Sequence, residues 1–392
     1  MQTIHDVLVI GAGPAGSTAA RLLADAGWDV ALVEKAAFPR RKVCGEFISG
    51  SSRSLLSGDL VAQACQDSSG PDVKRVGLFI KNLRVEAPMP GRDSCWGRAI
   101  ARDRLEVALI QEASERGAKV WQPWKVAGLQ REAGIHVATI TCGDQARKIW
   151  ARSVIVATGS WERNSFAGLQ ALPHDPADLL GFKTHFRGDN LAGDLMPLFA
   201  FPGGYGGMVH AGGGELSLSF CIRRDVLQRC RDAQPAGSAA EAALNYIRES
   251  CAGVRDTLRG AEPEGHWSAA GPIRPGIRKR YMDGIFFAGN VAGEAHPIVA
   301  EGISMAMQSA WLLCKIVTEQ RDAVLAGQTA TAGRIYSRRW RRSFAGRIHA
   351  AALFAKIAMH PKADRAARLV GLIPQLLTFG ARLSGKALLL AG

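Results

Sequence analysis

The sequence predicts an α/β protein with two sheet-containing domains and a helical C-terminal segment. Three features of the sequence predict it: a glycine-rich strand, turn, helix and strand at the start, alternating strand-like runs between Ser160 and Pro272, and helical spacing from Gly333 onward. The length of 392 residues fits two or three domains. Hydrophobic residues make up 47% and charged residues 21% of the chain, which excludes a disordered or fibrous protein.

The first strand and helix are joined by a turn with three glycines. The apolar run from Asp6 to Ile10 ends at Gly11, and Gly13 and Gly16 follow before a helical pattern. In a dinucleotide-binding unit the first glycine permits the tight turn, the second lets the backbone approach a pyrophosphate, and the third lets helix and strand pack closely.

The residues around this turn complete a Rossmann-type unit. Pro14 and Ala15 open the helix, whose N-terminal amides can hold the phosphates. Glu34 ends the second strand and can accept hydrogen bonds from an adenosine ribose. The unit predicts dinucleotide binding, with a glycine turn that binds nothing as the alternative. It does not separate FAD from NAD.

Three further segments resemble the superfamily of FAD enzymes that contains para-hydroxybenzoate hydroxylase and geranylgeranyl reductase. They are the loop 38–46 (FPRRKVCGE), the arginine-led helix that begins at Arg102, and the segment 284–304 with GIFFAGN, AGEAHP and EGIS. Together with the glycine turn they span about residues 5 to 320. The loop is similar to the one that crosses the flavin in the geranylgeranyl reductase branch.

This resemblance implies FAD as the cofactor and assigns residues to it. The helix that starts near Gly302 would direct its positive N-terminus at the flavin pyrimidine edge and stabilise the reduced ring. Asn290 would bind the ribityl chain, and Arg102 would reach the cofactor. The remaining expected cofactor contacts beyond the glycine turn and Glu34 are Lys35, Arg41, Cys44, Thr158, Gly159, Pro297 and Ile303.

Departures from the superfamily's motifs count against two of the activities found in it. Asn290 stands where the family usually has Asp, and Thr158-Gly159 stands where aromatic hydroxylases usually have Asp-Gly. Both departures count against an aromatic hydroxylase but leave the FAD prediction intact. The WxWxIP signature of flavin-dependent tryptophan halogenases is missing, which makes halogenation a minor alternative.

The matched motifs bring four reactive residues near the expected flavin: Cys44, Glu46, His296 and Glu301. Cys44 and Glu46 are candidates for proton transfer. The alternative is that Cys44 only provides small volume beside the ring and Glu46 pairs with Arg40 or Arg41. His296 precedes Pro297 and is either a catalytic base or a residue that fixes the loop.

Two reactions compete for the function. In one, NAD(P)H reduces FAD and oxygen is used to hydroxylate a hydrophobic aromatic, polyketide-like or lipid-like molecule. In the other, reduced FAD gives a hydride to a carbon–carbon double bond of an isoprenoid-like substrate, as the loop 38–46 suggests. The sequence leans slightly to hydroxylation because oxygenases are frequent among soluble members of the superfamily. An electron-relay flavoprotein is a further alternative.

The electron donor is not fixed by the sequence. A second glycine-rich nucleotide-binding unit is missing, so either NAD(P)H docks transiently or a partner flavin reductase supplies electrons. The eight cysteines occur singly, with no CxxC pair and no secretory leader, which indicates a cytoplasmic protein without structural zinc or another metal site.

The net charge of +14 is concentrated at the C-terminus, where residues 331–392 carry twelve Lys or Arg and one acid. This basic segment predicts either a peripheral contact with an anionic membrane or a cap on the FAD domain whose aromatic residues Tyr336, Trp340 and Phe344 are core. Nucleic acid is not an expected partner.

The motifs also predict domain boundaries. FAD-binding residues are expected at 1–75, 96–175 and 273–330, substrate-domain residues at 76–95 and 176–272, and the basic helical segment at 331–392.

Overall fold

The computed structural model describes residues 3–91, 95–160 and 173–386. Its strands are β1 (Ile4–Ile10), β2 (Val30–Val33), β3 (Phe47–Ile48), β4 (Arg75–Ile80), β5 (Leu83–Pro88), β6 (Arg98–Ala99), β7 (Lys119–Trp121), β8 (Lys125–Glu132), β9 (Ile135–Cys142), β10 (Gln145–Val156), β11 (Leu179–Arg187), β12 (Leu195–Phe201), β13 (Gly204–His210), β14 (Leu216–Arg223), β15 (Glu262–Ile273), β16 (Gly276–Ile277), β17 (Tyr281–Met282), β18 (Ile285–Phe287) and β19 (Gly293–Glu294).

Its α-helices are α1 (Pro14–Asp25), α2 (Asp59–Ser68), α3 (Arg102–Glu115), α4 (Arg224–Ala233), α5 (Ala239–Ser250), α6 (Ala252–Thr257), α7 (Gly302–Glu319), α8 (Arg321–Leu325), α9 (Ala330–Ala358), α10 (Ala363–Leu372) and α11 (Gln375–Leu383).

The first sheet has a parallel centre. Its strands run in the order β17-β18-β10-β1-β2-β7; β9 pairs antiparallel with β10, and β8 pairs antiparallel with β9. The central strands β1 and β2 are apolar and buried, as expected where helices cover both faces of a parallel sheet. Because parallel strands need crossover connections, α1 joins β1 to β2, and α1 packs against α7.

The second sheet is mostly antiparallel, in the order β15-β11-β14-β13-β12-β4-β5. One pair, β12 with β4, is parallel. The early strands β4 and β5 form one edge of this sheet although the chain passes through the first sheet before and after them. Helices α4, α5 and α6 pack on this sheet through a core that includes Phe186, Phe199 and Ile247.

The C-terminal helices pack on both sheets. Tyr336, Trp340 and Phe344 of α9 are buried in the core of the first sheet, so the aromatic stripe is core. Ala363 and Ala367 of α10 pack near Ile80 and Ala200 of the second sheet. Across the ranges described, no helix is both long enough and apolar enough to cross a membrane.

The fold class predicted from the sequence is confirmed: an α/β core, a largely antiparallel second sheet and a helical C-terminal segment. The helix predicted near Gly302 runs from Gly302 to Glu319. The exact domain boundaries stay predictions.

Candidate functional site

A cavity lies between the first sheet and the second sheet. Its first wall is built from the glycine turn after β1, the ends of β2 and β10, and the N-terminus of α7. Its second wall is the face of β12, β13 and β14, with Met196, Leu198, Met208 and Phe220. The loop 40–47 crosses between the walls. The chain thus joins the glycine turn and the predicted substrate sheet in one site.

The structure brings most of the predicted site residues to this cavity. Those that line it are Gly11, Gly13, Pro14, Ala15, Glu34, Lys35, Cys44, Glu46, Arg102, Thr158, Gly159, Asn290, Pro297, Gly302 and Ile303. The structure does not bring Gly16, Arg41, His296 and Glu301 to its lining. Gly16 packs behind it, where an added Cβ would lie 1.7 Å from the Gly11 carbonyl oxygen. Glu301 is fully buried and forms an ion pair with Lys386 at 3.0 Å instead.

Arg41 is exposed and lies beside Gly265 of β15, away from the cavity. Its neighbour Arg40 faces the cavity instead. Since consecutive residues of an extended loop point to opposite sides, the sequence could locate this basic loop but could not tell which arginine turns inward.

The glycine turn leaves room for a bound dinucleotide. A Cβ added at Gly13 would meet no atom closer than 4.0 Å, and one added at Gly302 would meet none within 4 Å. Both backbones therefore face open space. Each also belongs to the start of a helix, where the first amide groups have no partner within the helix and can bind an anion. These two positions fit the phosphates and the ring edge of a flavin nucleotide.

Glu34 is held at the end of β2 by its own chain. Its carboxylate accepts hydrogen bonds from the amides of Ala12 at 2.8 Å and Ala36 at 2.9 Å, and from Arg40 at 2.8 Å. It is 3% exposed but lines the cavity. The fixed carboxylate suits recognition of a ribose hydroxyl.

Arg40 links Glu34 to a second buried carboxylate. Its Nε donates to Glu106 at 2.9 Å, and Glu106 also accepts two hydrogen bonds from Arg102 at 2.9 and 3.0 Å. This network fixes both arginines beside the cavity. Sequence reasoning missed Arg40 and Glu106 as site residues, although Glu106 lies one helical turn after Arg102.

Cations dominate the charged lining near the glycine turn. Besides Arg40 and Arg102 they are Lys35, Lys42 and Lys125. Burial and the neighbouring charges of Arg40 and Arg102 lower the pKa of Lys42 to about 8, so it is mostly charged at neutral pH. This surplus of positive charge fits an anionic pyrophosphate.

Glu46 ties the loop 40–47 to the second sheet. Its carboxylate forms an ion pair with Lys183 and accepts a hydrogen bond from His185 Nε2 at 3.0 Å, both on β11. Burial alone would raise the pKa of Glu46, but the hydrogen bond from His185 and the charge of Lys183 outweigh it and lower the pKa to about 2. The carboxylate is therefore ionised at neutral pH.

The sequence-based pairing of Glu46 with Arg40 or Arg41 is wrong. Those arginines point elsewhere, and the partners come from a strand far along the chain. The signal that could have located Lys183 and His185 is their alternation on β11, which puts both side chains on one face of the sheet.

Cys44 lies two residues before Glu46 and lines the cavity. Its Sγ accepts a hydrogen bond from the amide of Glu46 at 3.4 Å, and the Arg102 side chain lies close to it. The thiol is thereby fixed between the first wall and the apolar second wall.

Glu294 is a site residue that the sequence reasoning missed. It lines the cavity, is 6% exposed and accepts hydrogen bonds from Ser160 at 2.8 Å and from Asn290 Nδ2 at 3.1 Å. Burial raises its pKa despite these partners. The departure to Asn290 thus has a physical reason, since Asp at this position would put two carboxylates in contact.

His296 lies behind the cavity lining. Its Nδ1 shares a hydrogen bond of 3.1 Å with the hydroxyl of Tyr205, which itself lines the cavity. Burial lowers the pKa of His296 to about 4, so the ring is neutral at physiological pH. Burial also raises the pKa of Tyr205 well above its usual value. This geometry is that of a fixed loop residue.

Comparison with known families supports the expected cofactor. Residues 5–171 match the FAD binding domain, and residues 95–320 match the FAD dependent oxidoreductase family. The matches cover both the glycine turn and the segment that carries Asn290 and Gly302. FAD is therefore the cofactor of this family, and the cavity residues described above are the candidates for binding it.

Two relatives in sequence are named as reductases. The menaquinone reductase of Mycobacterium tuberculosis (strain CDC 1551 / Oshkosh) is 25% identical over 333 residues, which cover 81% of this chain and 77% of the relative. The digeranylgeranylglycerophospholipid reductase 1 of Methanothermobacter thermautotrophicus is 27% identical over 351 residues, covering 85% of this chain and 78% of the relative.

The fold also recurs among solved structures. A myxobacterial chondrochloren halogenase, an FAD-dependent enzyme, superposes with a TM-score of 0.78 at 19% identity, over 97% of this chain and 91% of the halogenase. At this identity the likeness concerns the fold. The FAD dependent oxidoreductase family, in contrast, matches more than half of the chain in sequence. The protein therefore belongs to the FAD-dependent oxidoreductases.

Proposed function

We propose that the protein reduces a carbon–carbon double bond in an apolar, isoprenoid-like substrate. The observation that carries this proposal is the position of the Cys44 thiol in the cavity, next to a Glu46 carboxylate that is already engaged in an ion pair. The relatives add support, because they are named for menaquinone and for a digeranylgeranyl lipid, which are apolar molecules with isoprenoid chains.

The second wall of the cavity suits an apolar substrate. Met196, Leu198, Met208, Val209 and Phe220 line it. Apolar side chains of this kind bind hydrocarbon by excluding water, while a few polar groups orient the reacting part. A substrate lying on this wall would present its double bond to the loop that carries Cys44.

Adding hydrogen to a double bond requires a hydride on one carbon and a proton on the other. FAD, once reduced and bound, supplies the hydride and with it both electrons. The Cys44 thiol then donates its proton to the second carbon and regains one from solvent. Glu46 does not serve as this acid, since it is ionised near neutral pH; it positions the loop instead.

The reduction also needs a donor of electrons to FAD. NAD(P)H is the donor we propose, with a partner flavin reductase as the alternative. Adding NADPH or NADH to the protein without oxygen separates the two, because direct reduction bleaches the oxidised-flavin absorbance. A protein that only dithionite reduces would need the partner.

The reductase itself is tested without oxygen. Protein reduced with dithionite is mixed with a menaquinone or with a geranylgeranyl lipid, and the oxidised-flavin absorbance is followed while the product is analysed by mass spectrometry. We expect the absorbance to return without oxygen and the isoprenoid chain of the product to gain two hydrogens that remain after exposure to air, whereas the two hydrogens of a quinol are lost on reoxidation. Cys44→Ala is expected to slow the return about a hundred-fold, within the range that a positioned acid contributes.

A matched control is Cys142→Ala, which removes a half-buried cysteine of β9 outside the cavity. Its rate should equal that of the unmodified protein, and both variants should keep their FAD. Reduced protein that reacts with these substrates only when oxygen is admitted, with oxygen entering the product, would contradict the proposal and favour hydroxylation.

A further inference from the structure

The two C-terminal helices α10 and α11 expose an unusual number of large apolar side chains. Of the nine large hydrophobic residues that are exposed in the described ranges, eight lie between Leu353 and Leu383. Six of them form what we term the α10–α11 face: Leu369, Leu372, Ile373, Leu376, Phe379 and Leu383. Leu372 is 80% exposed, and Leu369 and Phe379 are each 56% exposed. Side chains of this size are rarely left in water in such a group.

The helices that carry this face are anchored on their other sides. Ala363 and Ala367, one turn apart, hold α10 on the second sheet. Ala381 and Leu377 of α11 pack in a cluster with Met196 and Val209, two residues that also line the cavity. The α10–α11 face is therefore held outward by packed helices, and α11 packs against two residues of the cavity wall.

Basic residues accompany the apolar ones. Arg365 and Arg368 lie within one turn of Leu369 and Leu372 and are exposed, and Arg382 lies between Ala381 and Leu383 on α11 and is exposed as well. Asp364, the acidic residue of this segment, forms ion pairs with Lys81 at 2.8 Å and with Arg368 at 3.8 Å, so positive charge still exceeds negative charge here. The surface is therefore apolar and positively charged at once.

We propose that the α10–α11 face docks the protein onto an anionic lipid bilayer. Exposed leucine and phenylalanine on a helix lying parallel to the surface enter the boundary between headgroups and acyl chains, while arginines pair with lipid phosphates. A nucleic acid would use the arginines but leave the six apolar side chains in water. A second copy of the chain would cover the apolar residues but bring the arginines of both copies together.

This docking does not depend on the reductase activity, although it would present the cavity to substrates dissolved in the membrane. Flotation with vesicles tests it. We expect the protein to float with vesicles of equal parts phosphatidylglycerol and phosphatidylcholine and to bind phosphatidylcholine vesicles at least ~10-fold more weakly.

Two variants remove the two components of the face. The double variant Leu372→Glu with Phe379→Glu should lower binding to the mixed vesicles about ten-fold or more, because it puts charge on two side chains that would otherwise enter the apolar part of the bilayer. The double variant Arg365→Glu with Arg368→Glu should abolish the preference for phosphatidylglycerol. Ile4→Glu is the matched control, since Ile4 is 39% exposed at the start of β1 and lies outside the face.

The variants must keep their FAD absorbance and thermal midpoint, which establishes that they are folded. Unmodified protein that binds neither vesicle would overturn the proposal, as would apolar variants that float like the Ile4→Glu control. A dimer in solution that the Leu372→Glu and Phe379→Glu changes dissociate, without vesicle binding, would assign the face to a second copy. Binding to polyuridylate but not to vesicles would assign it to nucleic acid.

Discussion

Glu46 and Lys183 form a buried ion pair that joins the loop 40–47 to strand β11 of the second sheet. Their side chains are 3% and 7% exposed, and His185 adds a hydrogen bond to the same carboxylate. Glu46 has φ of +60°, a backbone conformation that costs energy for a residue with a side chain. The ion pair stabilises this conformation and so fixes the position of Cys44.

The first prediction concerns this ion pair. Glu46→Gln should lower the free energy of unfolding at neutral pH by about 3 kcal/mol, because it leaves the Lys183 charge buried without a counterion. Glu46 has a folded-state pKa of about 2 against an ordinary value of 4.5. Its contribution is thus fully present above about pH 4.5 and is lost as pH falls towards 2. Urea unfolding at several pH values measures it.

The control is the double variant Glu46→Gln with Lys183→Met. It should recover part of the loss, since neither charge then remains, and the coupling energy between the two changes should exceed about 1 kcal/mol. Additive losses would mean that the two residues do not interact. A Glu46→Gln protein as stable as the unmodified one would refute the ion pair.

The Glu46 pair also shows where reasoning from sequence stops. The glycine turn and the segment after β18 could be predicted because each is local: a strand, a turn and the start of a helix in consecutive residues. Glu46 meets Lys183 only because the second sheet folds over the loop, and their separation of 137 positions carries no local signal. Glu294 lies in the segment 284–304, which the sequence already assigned to the cofactor. Only its burial in the folded protein distinguishes it from an acidic residue on the surface.

The second prediction separates the roles of two glycines in the same turn. Gly13→Ala should fold normally, since its Cβ would meet no atom of the chain closer than 4.0 Å, yet bind FAD at least ~10-fold more weakly because the methyl group occupies the pyrophosphate position. Gly16→Ala should lose stability by several kcal/mol, since its Cβ would overlap the Gly11 carbonyl oxygen. Thermal unfolding and FAD titration distinguish the two.

Gly134→Ala is a useful comparison, because an added Cβ there meets nothing and the residue lies in the turn between β8 and β9. With φ of +86° its loss of stability reports backbone strain alone. If Gly13→Ala bound FAD as tightly as this variant, the glycine turn would not be the pyrophosphate site.

The third prediction concerns His296. Because burial lowers its pKa to about 4, the ring stays neutral from pH 6 to pH 8 and gives no titration there. His296→Asn should therefore leave the shape of the pH–rate profile unchanged in this interval, and its rate should match that of Tyr205→Phe, which breaks the same hydrogen bond. Disappearance of a limb near pH 6.5 in the His296→Asn protein alone would identify a catalytic base instead.

The fourth prediction uses the pH dependence of FAD binding. Lys42 has a folded-state pKa of about 8, below its ordinary 10.5, because burial and the charges of Arg40 and Arg102 oppose its protonation. It therefore loses its positive charge as pH rises from 7 to 9. An anionic pyrophosphate attracts the protonated form, so the dissociation constant for FAD should rise over this interval by about ten-fold.

Lys42→Gln should bind FAD weakly already at pH 7, and its dissociation constant should show no further rise up to pH 9. Lys148→Gln, at an exposed position of β10, should behave like the unmodified protein. Titration of the apoprotein with FAD at each pH measures these constants, and an unchanged rise in Lys42→Gln would place the titrating group elsewhere.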